Sequence, residues 1–352
     1  MIAKMKVYFI ITLIITTLLG CTQSSNTNTH VVDDASNQIL VDFQTKVDDY
    51  LNNLEFNGSI LLAKNGQIYV HKGYGYSNGT NLQNTEDTIY YIGSITKPIT
   101  AMAIMQLQEA GKLNVMDTID KYFPDFIGGE KITIHHLLTH TSGLDRNNYF
   151  SIVNENSIMS DDFFNQFYEF TNSLSRNALP GERYSYSNTG YMILGKIIEL
   201  VSGLSYGDYI NEYISKPLDM PDTGFTIYPP ERLANPFTFT FKTTYFHPSL
   251  YYSTGGIYST VEDLYEFVRA IKNNTLINEK TTKEMLTPYK DSYSYGWIIN
   301  NTRVSHNGYI DGYHSYLFYN MKDDTAIIIL SNDHKSNMDA IIIKFIRYMA
   351  DI

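Results

Sequence analysis

The sequence predicts a mixed α/β fold of the α+β kind. An antiparallel sheet is built from N- and C-terminal segments, helices flank it, and a mainly helical lobe is inserted at roughly residues 113–225. Three observations predict it. Gly58–Lys64 and Gln67–Gly73 flank Asn65-Gly66, a pair that closes tight hairpins because both residues tolerate a left-handed backbone. Near the other end, Thr302–Asn307, His314–Asn320 and Thr325–Ser331 read as three strands, the last two joined by the polar turn Met321-Lys322-Asp323-Asp324. Between the ends lie helical patches divided by turn signals such as Phe123-Pro124-Asp125, Leu179-Pro180-Gly181-Glu182 and Lys216-Pro217, with no convincing strand alternation. A sheet with an inserted lobe commonly places a cleft at the junction.

The elements follow in order. Lys4 and Lys6 precede an apolar run, Val7 to Leu19. That run is short for a membrane span, which needs about twenty residues, and fits the apolar region of a secretory signal. Leu18-Leu19-Gly20-Cys21 then resembles the lipobox of bacterial lipoproteins, a resemblance that implies removal of residues 1–20 and a diacylglycerol on Cys21. Two acyl chains anchor a protein stably, so the expected residence is the outer face of a bacterial membrane. Residues 21–37 are polar and read as a flexible tether, and residues 38–352 as the folded domain. Leu40, Phe43, Val47 and Leu51 have helical spacing and predict a first helix over Asn37–Leu54. After the hairpin, a Gly- and Asn-rich loop leads through Tyr90-Tyr91-Ile92-Gly93 to a helix that opens at Ser94. This helix carries Ile99, Met102, Ile104, Met105 and Leu107 and ends near Gly111. Thr260–Lys272 and Asp339–Met349 read as the last two helices.

An apolar fraction of 43% and a charged fraction of 18% are those of a globular protein with a sizeable core. Loss of residues 1–20 takes two lysines and no acids, moving the net charge from -11 to -13. Such an acidic protein is a poor partner for nucleic acid. Cys21 is the single cysteine, which excludes an intramolecular disulfide.

Chemistry concentrates in three short stretches. In Ser94-Ile95-Thr96-Lys97 the serine and lysine are one helical turn apart on the same face. A lysine shielded from water can take the proton of the hydroxyl or stabilise its alkoxide. In Tyr186-Ser187-Asn188 the phenol, with an intrinsic pKa of about 10, can shuttle protons only where a nearby cation such as Lys97 stabilises its phenolate. Asn188 suits a substrate amide or an orienting bond to the lysine. In His306-Asn307-Gly308 the glycine admits a close substrate backbone. His136 and His140 have the i, i+4 spacing of zinc ligands, but no glutamate follows His136 as in a metalloprotease, and they read as hydrogen-bonded structural histidines.

These three motifs in this order resemble the serine β-lactamase and penicillin-binding protein superfamily, in particular its class C branch with D-alanyl-D-alanine carboxypeptidases, D-aminopeptidases and esterases beside it. Leu137-Leu138-Thr139-His140-Thr141-Ser142-Gly143-Leu144 and Ser253-Thr254-Gly255-Gly256-Ile257-Tyr258-Ser259-Thr260 add to the resemblance, which covers about Asn57 to Ser331. It implies Ser94 as the acylated nucleophile, Lys97 as its activator and Tyr186 as the proton shuttle. Asn188, His306 and Gly308 become substrate-binding residues, and the backbone N–H groups of Ser94 and Tyr309 the oxyanion hole. The implied substrate is a small or cell-wall-derived acyl compound, with no metal and no cofactor. Many β-lactamases carry lysine where this chain has His306, so β-lactams are expected to be poor substrates beside esters or amides without a carboxylate. Activity toward a carboxylate-bearing substrate is expected to rise as pH falls toward 6. Two classes stay open: a hydrolase or acyltransferase working through acyl-Ser94, favoured by the intact residue set, and a catalytically silent binding or sensor protein.

Overall fold

The structure is a computed structural model and describes residues 29–78, 81–154, 156–237, 246–333 and 335–352. The apolar run, Cys21 and the first part of the expected tether lie outside the described residues. The chain falls into two compact units, Met1–Phe43 and Gln44–Ile352. Helix α1 spans Thr29–Asn53 and so begins eight residues before the predicted start at Asn37, taking in part of the expected tether. Apolar spacing marks only where a helix face packs, whereas extending a nucleated helix through polar residues costs little.

The hairpin follows as predicted, β1 (Gly58–Lys64) and β2 (Gln67–Tyr74), with Asn65 and Gly66 at φ 51° and 78°. Next come the short β3 (Tyr90–Tyr91), α2 (Thr96–Glu109), α3 (Ile134–Leu138), α4 (Asp161–Ser173), α5 (Asn188–Ser202) and α6 (Tyr206–Ile210). A single turn, α7 (Tyr252–Gly255), leads to β4 (Tyr258–Ser259), α8 (Val261–Asn273) and α9 (Glu279–Met285). The chain closes with β5 (Ile298–Asn300), β6 (Arg303–Ile310), β7 (Tyr313–Asn320), β8 (Thr325–Ser331) and α10 (Met338–Ala350). The pair β3 and β4, and β5, are too short to show any periodicity in the sequence.

The main sheet has six antiparallel strands in the order β2-β1-β8-β7-β6-β5. The two ends of the chain meet where β1 pairs with β8, from Gly58 opposite Ser331 to Ala63 opposite Ala326. Every residue of β8 is buried, which requires cover on both faces, and α8 and α10 both pack against it. The core continues into the lobe around α2, whose buried residues occupy nearly its whole circumference, as expected for a helix surrounded by protein. Here α2 packs against α5, α6 and α7.

One detail of register positions the site. Strand β5 accompanies β6 only as far as Ser305, opposite Ile298. Beyond that point His306–Ile310 has β7 on one side and, on the other, the tight turn Gly93–Ile95 at the head of α2. The sheet thus offers a bare strand edge to Ser94 instead of another strand.

Candidate active site

Ser94 sits in the tight turn before α2, and Lys97 lies in the first turn of that helix. Lys97 is fully buried, and its Nζ donates to the Thr254 carbonyl at 2.7 Å and lies 3.1 Å from Ser94 Oγ. Burial, reinforced by the positive charge of Arg146, pushes the lysine well below the usual amine range. Removal from water thus favours the neutral amine over the ammonium. In the neutral form one N–H serves the Thr254 carbonyl and the lone pair can take the proton of Ser94.

The Thr254 carbonyl is held in place from two sides. It belongs to α7, whose Ser253 carbonyl accepts from Thr100 Oγ1 on α2 at 2.8 Å, while Ser253 Oγ donates to the Tyr191 carbonyl of α5 at 2.8 Å. Tyr252 opens the turn at φ 41° and ψ -128°, a backbone conformation that costs a tyrosine energy and needs surrounding structure to enforce it.

Tyr186 reaches the same point from the lobe. Its ring centre lies 4.9 Å from Lys97 Nζ, and Ser94 lines the same cleft. Burial raises its pKa, and the nearby Ser94 opposes that rise only in part. Removal from water penalises the charged forms of both groups, which runs against a resting phenolate–ammonium pair. The tyrosine is positioned by His140, whose ring lies against it at 4.1 Å and whose Nδ1 accepts from the Ser187 N–H at 3.1 Å. His136 caps α3, accepting from the Thr133 N–H. The two histidines spaced like zinc ligands thus have separate structural tasks, as expected.

Asn188 is the first residue of α5, with Ser187 as its cap. Its Nδ2 donates to Asn147 Oδ1 at 2.6 Å, while its Oδ1 is buried without a hydrogen-bond partner. His306 is buried on β6. Its Nδ1 lies 2.6 Å from the Asn307 carbonyl, which can only accept, so that nitrogen carries the hydrogen. Its Nε2 therefore accepts from the Tyr293 hydroxyl at 3.1 Å. Burial, with Lys97 nearby, pushes the imidazole down to about 3. The expected gain in carboxylate recognition toward pH 6 is overturned, because no group at 306 titrates there.

Gly308 is where the strand edge meets the nucleophile. A Cβ there would lie 2.1 Å from the Ile92 carbonyl oxygen, 2.2 Å from Ser315 Oγ and 3.0 Å from the Ser94 nitrogen. A Cβ on Gly93 would lie 2.7 Å from the Tyr309 nitrogen. Turn and strand thus leave only a narrow gap beside the backbone nitrogens of Ser94 and Tyr309, the donors expected of an oxyanion hole.

Ser94, Tyr186, Asn188, His306 and Tyr309 border one cleft of about 500 Å³, lined also by Phe150, Tyr184, Tyr251 and Tyr293. Arg146 was not singled out by the sequence, although it follows the Leu137–Leu144 segment by two residues. Its guanidinium carbon lies 5.2 Å from the centre of the Tyr186 ring. Tyr293, far along the chain in a loop, left no signal in the sequence.

The beta-lactamase family model matches residues 46–346. PbpX of Bacillus subtilis is 32% identical over 83% of this chain and 74% of its own length. A teichoic acid D-alanine hydrolase of Staphylococcus aureus is 29% identical over the same shares. Among solved structures, FmtA from Staphylococcus aureus is similar over 88% of this chain and 86% of its own, with 26% identity and a TM-score of 0.75. The D-amino acid amidase of Ochrobactrum anthropi SV3 shares the fold at 22% identity, covering 89% and 98% of the two chains with a TM-score of 0.76. With a family match over most of its length, a sheet joined from both chain ends and a serine beside a buried lysine, this chain is a serine hydrolase that belongs to the beta-lactamase family.

Proposed function

We propose that the protein hydrolyses D-amino acyl esters of a cell-wall polymer through an acyl-enzyme on Ser94, at the outer face of the membrane to which a lipid on Cys21 ties it. The observation that carries the chemistry is the fully buried Lys97 amine 3.1 Å from Ser94 Oγ. Lys97 takes the hydroxyl proton as Oγ attacks the ester carbonyl, and the backbone N–H groups of Ser94 and Tyr309 receive the developing oxyanion. As the tetrahedral adduct collapses, the carbon–oxygen bond to the alcohol breaks. Tyr186, whose ring centre lies 4.9 Å from Lys97 Nζ, relays the proton from Lys97 to the departing oxygen. Water then attacks the acyl-Ser94 by the reverse path and restores the serine. The unpartnered Oδ1 of Asn188 supplies an acceptor for the ammonium or amide N–H of the acyl group.

The substrate class is supported by likeness to the teichoic acid D-alanine hydrolases and by a cleft lining with no carboxylate among the described residues. A β-lactamase or D-alanyl-D-alanine carboxypeptidase is the second reading, and the neutral His306 disfavours it by removing a cation from β6. The test is release of D-alanine from D-alanylated teichoic acid, alongside a p-nitrophenyl ester, a D-amino acid amide and a chromogenic cephalosporin. Expected are D-alanine release, a fluorophosphonate adduct on Ser94, and loss of both in Ser94→Ala. Efficient cephalosporin turnover with negligible ester cleavage overturns the substrate class, and an unlabelled Ser94 with no turnover overturns the hydrolase mechanism. Lipidation is tested by the mass of the membrane-bound N-terminus, and an unmodified N-terminus at another residue overturns it.

A further inference from the structure

The cleft holds a cation whose task the acyl-transfer steps do not explain. Among the described residues of the lining, Arg146 is the one with a formal charge, since none of them is a carboxylate and His306 is neutral. Among the described residues it forms no salt bridge and no side-chain hydrogen bond, and its guanidinium carbon lies over the Tyr186 ring, 5.2 Å from the ring centre, on an exposed residue. The carboxylates nearby are engaged or aimed elsewhere: Asp311 accepts from Tyr251 at 2.9 Å and Asp145 from Thr189 at 3.4 Å, while Asp291 acts on Tyr184.

The position of Arg146 is nevertheless fixed. Its own carbonyl accepts from the Asn188 N–H at 3.0 Å, and the preceding carbonyl, that of Asp145, accepts from Ser187 Oγ at 2.6 Å. The Arg146 loop is thereby fastened to the turn that carries Tyr186. An unpaired guanidinium in a protein of net charge -11 stands out against its own surroundings. Its planar fork of donors matches an oxyanion in two-point fashion.

We infer that Arg146 reads a phosphodiester on the alcohol side of the substrate. Tyr186 hands its proton to the departing alcohol oxygen, so a cation lying over the Tyr186 ring adjoins that alcohol and not the acyl group. An ammonium-bearing acyl group would be repelled by Arg146, whereas a polyol whose neighbouring carbon carries a phosphodiester presents the complementary charge. This deepens the ester-hydrolase reading and rests on it for the direction of the substrate.

The test separates the two claims by measuring binding without turnover. In the Ser94→Ala protein, NMR titration gives affinities for glycerol phosphate methyl ester, for its uncharged glycerol ether analogue, and for an acyl-D-alanyl-D-alanine peptide with a free carboxylate. Expected is a preference for the phosphodiester over the ether. That preference should fall about tenfold or more when Arg146→Gln is added, the size of a charge-assisted pair, with Arg146→Lys in between. The kinetic arm compares kcat/KM for the D-alanyl esters of the same phosphodiester and ether alcohols, where the same collapse of preference is expected. A preference unchanged by Arg146→Gln overturns the inference, and so does a larger Arg146-dependent gain for the carboxylate peptide. Should neither ester be hydrolysed, the binding arm still decides the role of Arg146 while the hydrolase reading falls.

Discussion

At the scale of single residues, burial sets the chemistry. Removal from water disfavours the charged forms of both Lys97 and Tyr186, which suits Lys97 to the part of base proposed for it. Ser94→Ala is expected to abolish turnover, and Lys97→Ala and Tyr186→Phe each to lower kcat by several orders of magnitude. The Lys97→Ala/Tyr186→Phe double variant should lose little more than either single one, because both groups serve one proton path. Near-normal kcat in Tyr186→Phe would remove the relay from the mechanism. The pH profile follows from the same charges. Protonated Lys97 cannot accept the serine proton, so kcat/KM falls on the acid side. Arg146 holds that lysine down by charge repulsion, so Arg146→Gln lets it protonate at higher pH and moves the acid limb of the profile upward. A limb that stays in place would show that Arg146 does not act on Lys97.

At the scale of elements, the site exists because a strand edge and a helix head come within contact distance. Gly308→Ala places a methyl against the Ile92 carbonyl and the Ser94 nitrogen. Separation of β6 from the Ser94 turn is expected to cost about 1–3 kcal/mol of stability and to lower kcat disproportionately, because the two oxyanion donors move apart. Denaturant unfolding and kcat measured on the same sample check this, and full activity would refute the assigned gap. Thr260→Ala provides the contrast. It removes the side chain that accepts from the Asp263 N–H at the start of α8, away from the cleft lining. A loss of about 1 kcal/mol is expected, with kcat unchanged.

At the scale of the whole molecule, the fold buries histidines as uncharged rings in the region where lobe and sheet meet. His306 is held down to about 3, His135 to about 4 and His140 well below the usual imidazole range, in each case chiefly by burial. In the unfolded chain each titrates near 6.5. Folded values below unfolded ones mean the stabilisation is complete above about pH 6.5 and drains away as pH falls toward the folded values. Each fully buried ring removes about 1.4 kcal/mol per pH unit across that window. The melting temperature should therefore fall steadily between about pH 7 and pH 5, and His140→Phe should flatten the slope. An unchanged Tm would mean these rings are not buried neutral. The sequence by itself determined the hairpin, the C-terminal strands, the buried α2 and the order of the three motifs, because each is written in local periodicity or in a short run of reactive side chains. It also marked Ser94, Lys97, Tyr186, Asn188, His306 and Gly308 as candidates. Only the tertiary structure decided the burial that disfavours charge on Lys97, Tyr186 and His306 and the close approach of turn and strand beside Ser94 and Tyr309. It alone brought Arg146 and Tyr293 to the cleft, since desolvation and contact between distant segments depend on three-dimensional packing, which linear spacing does not encode.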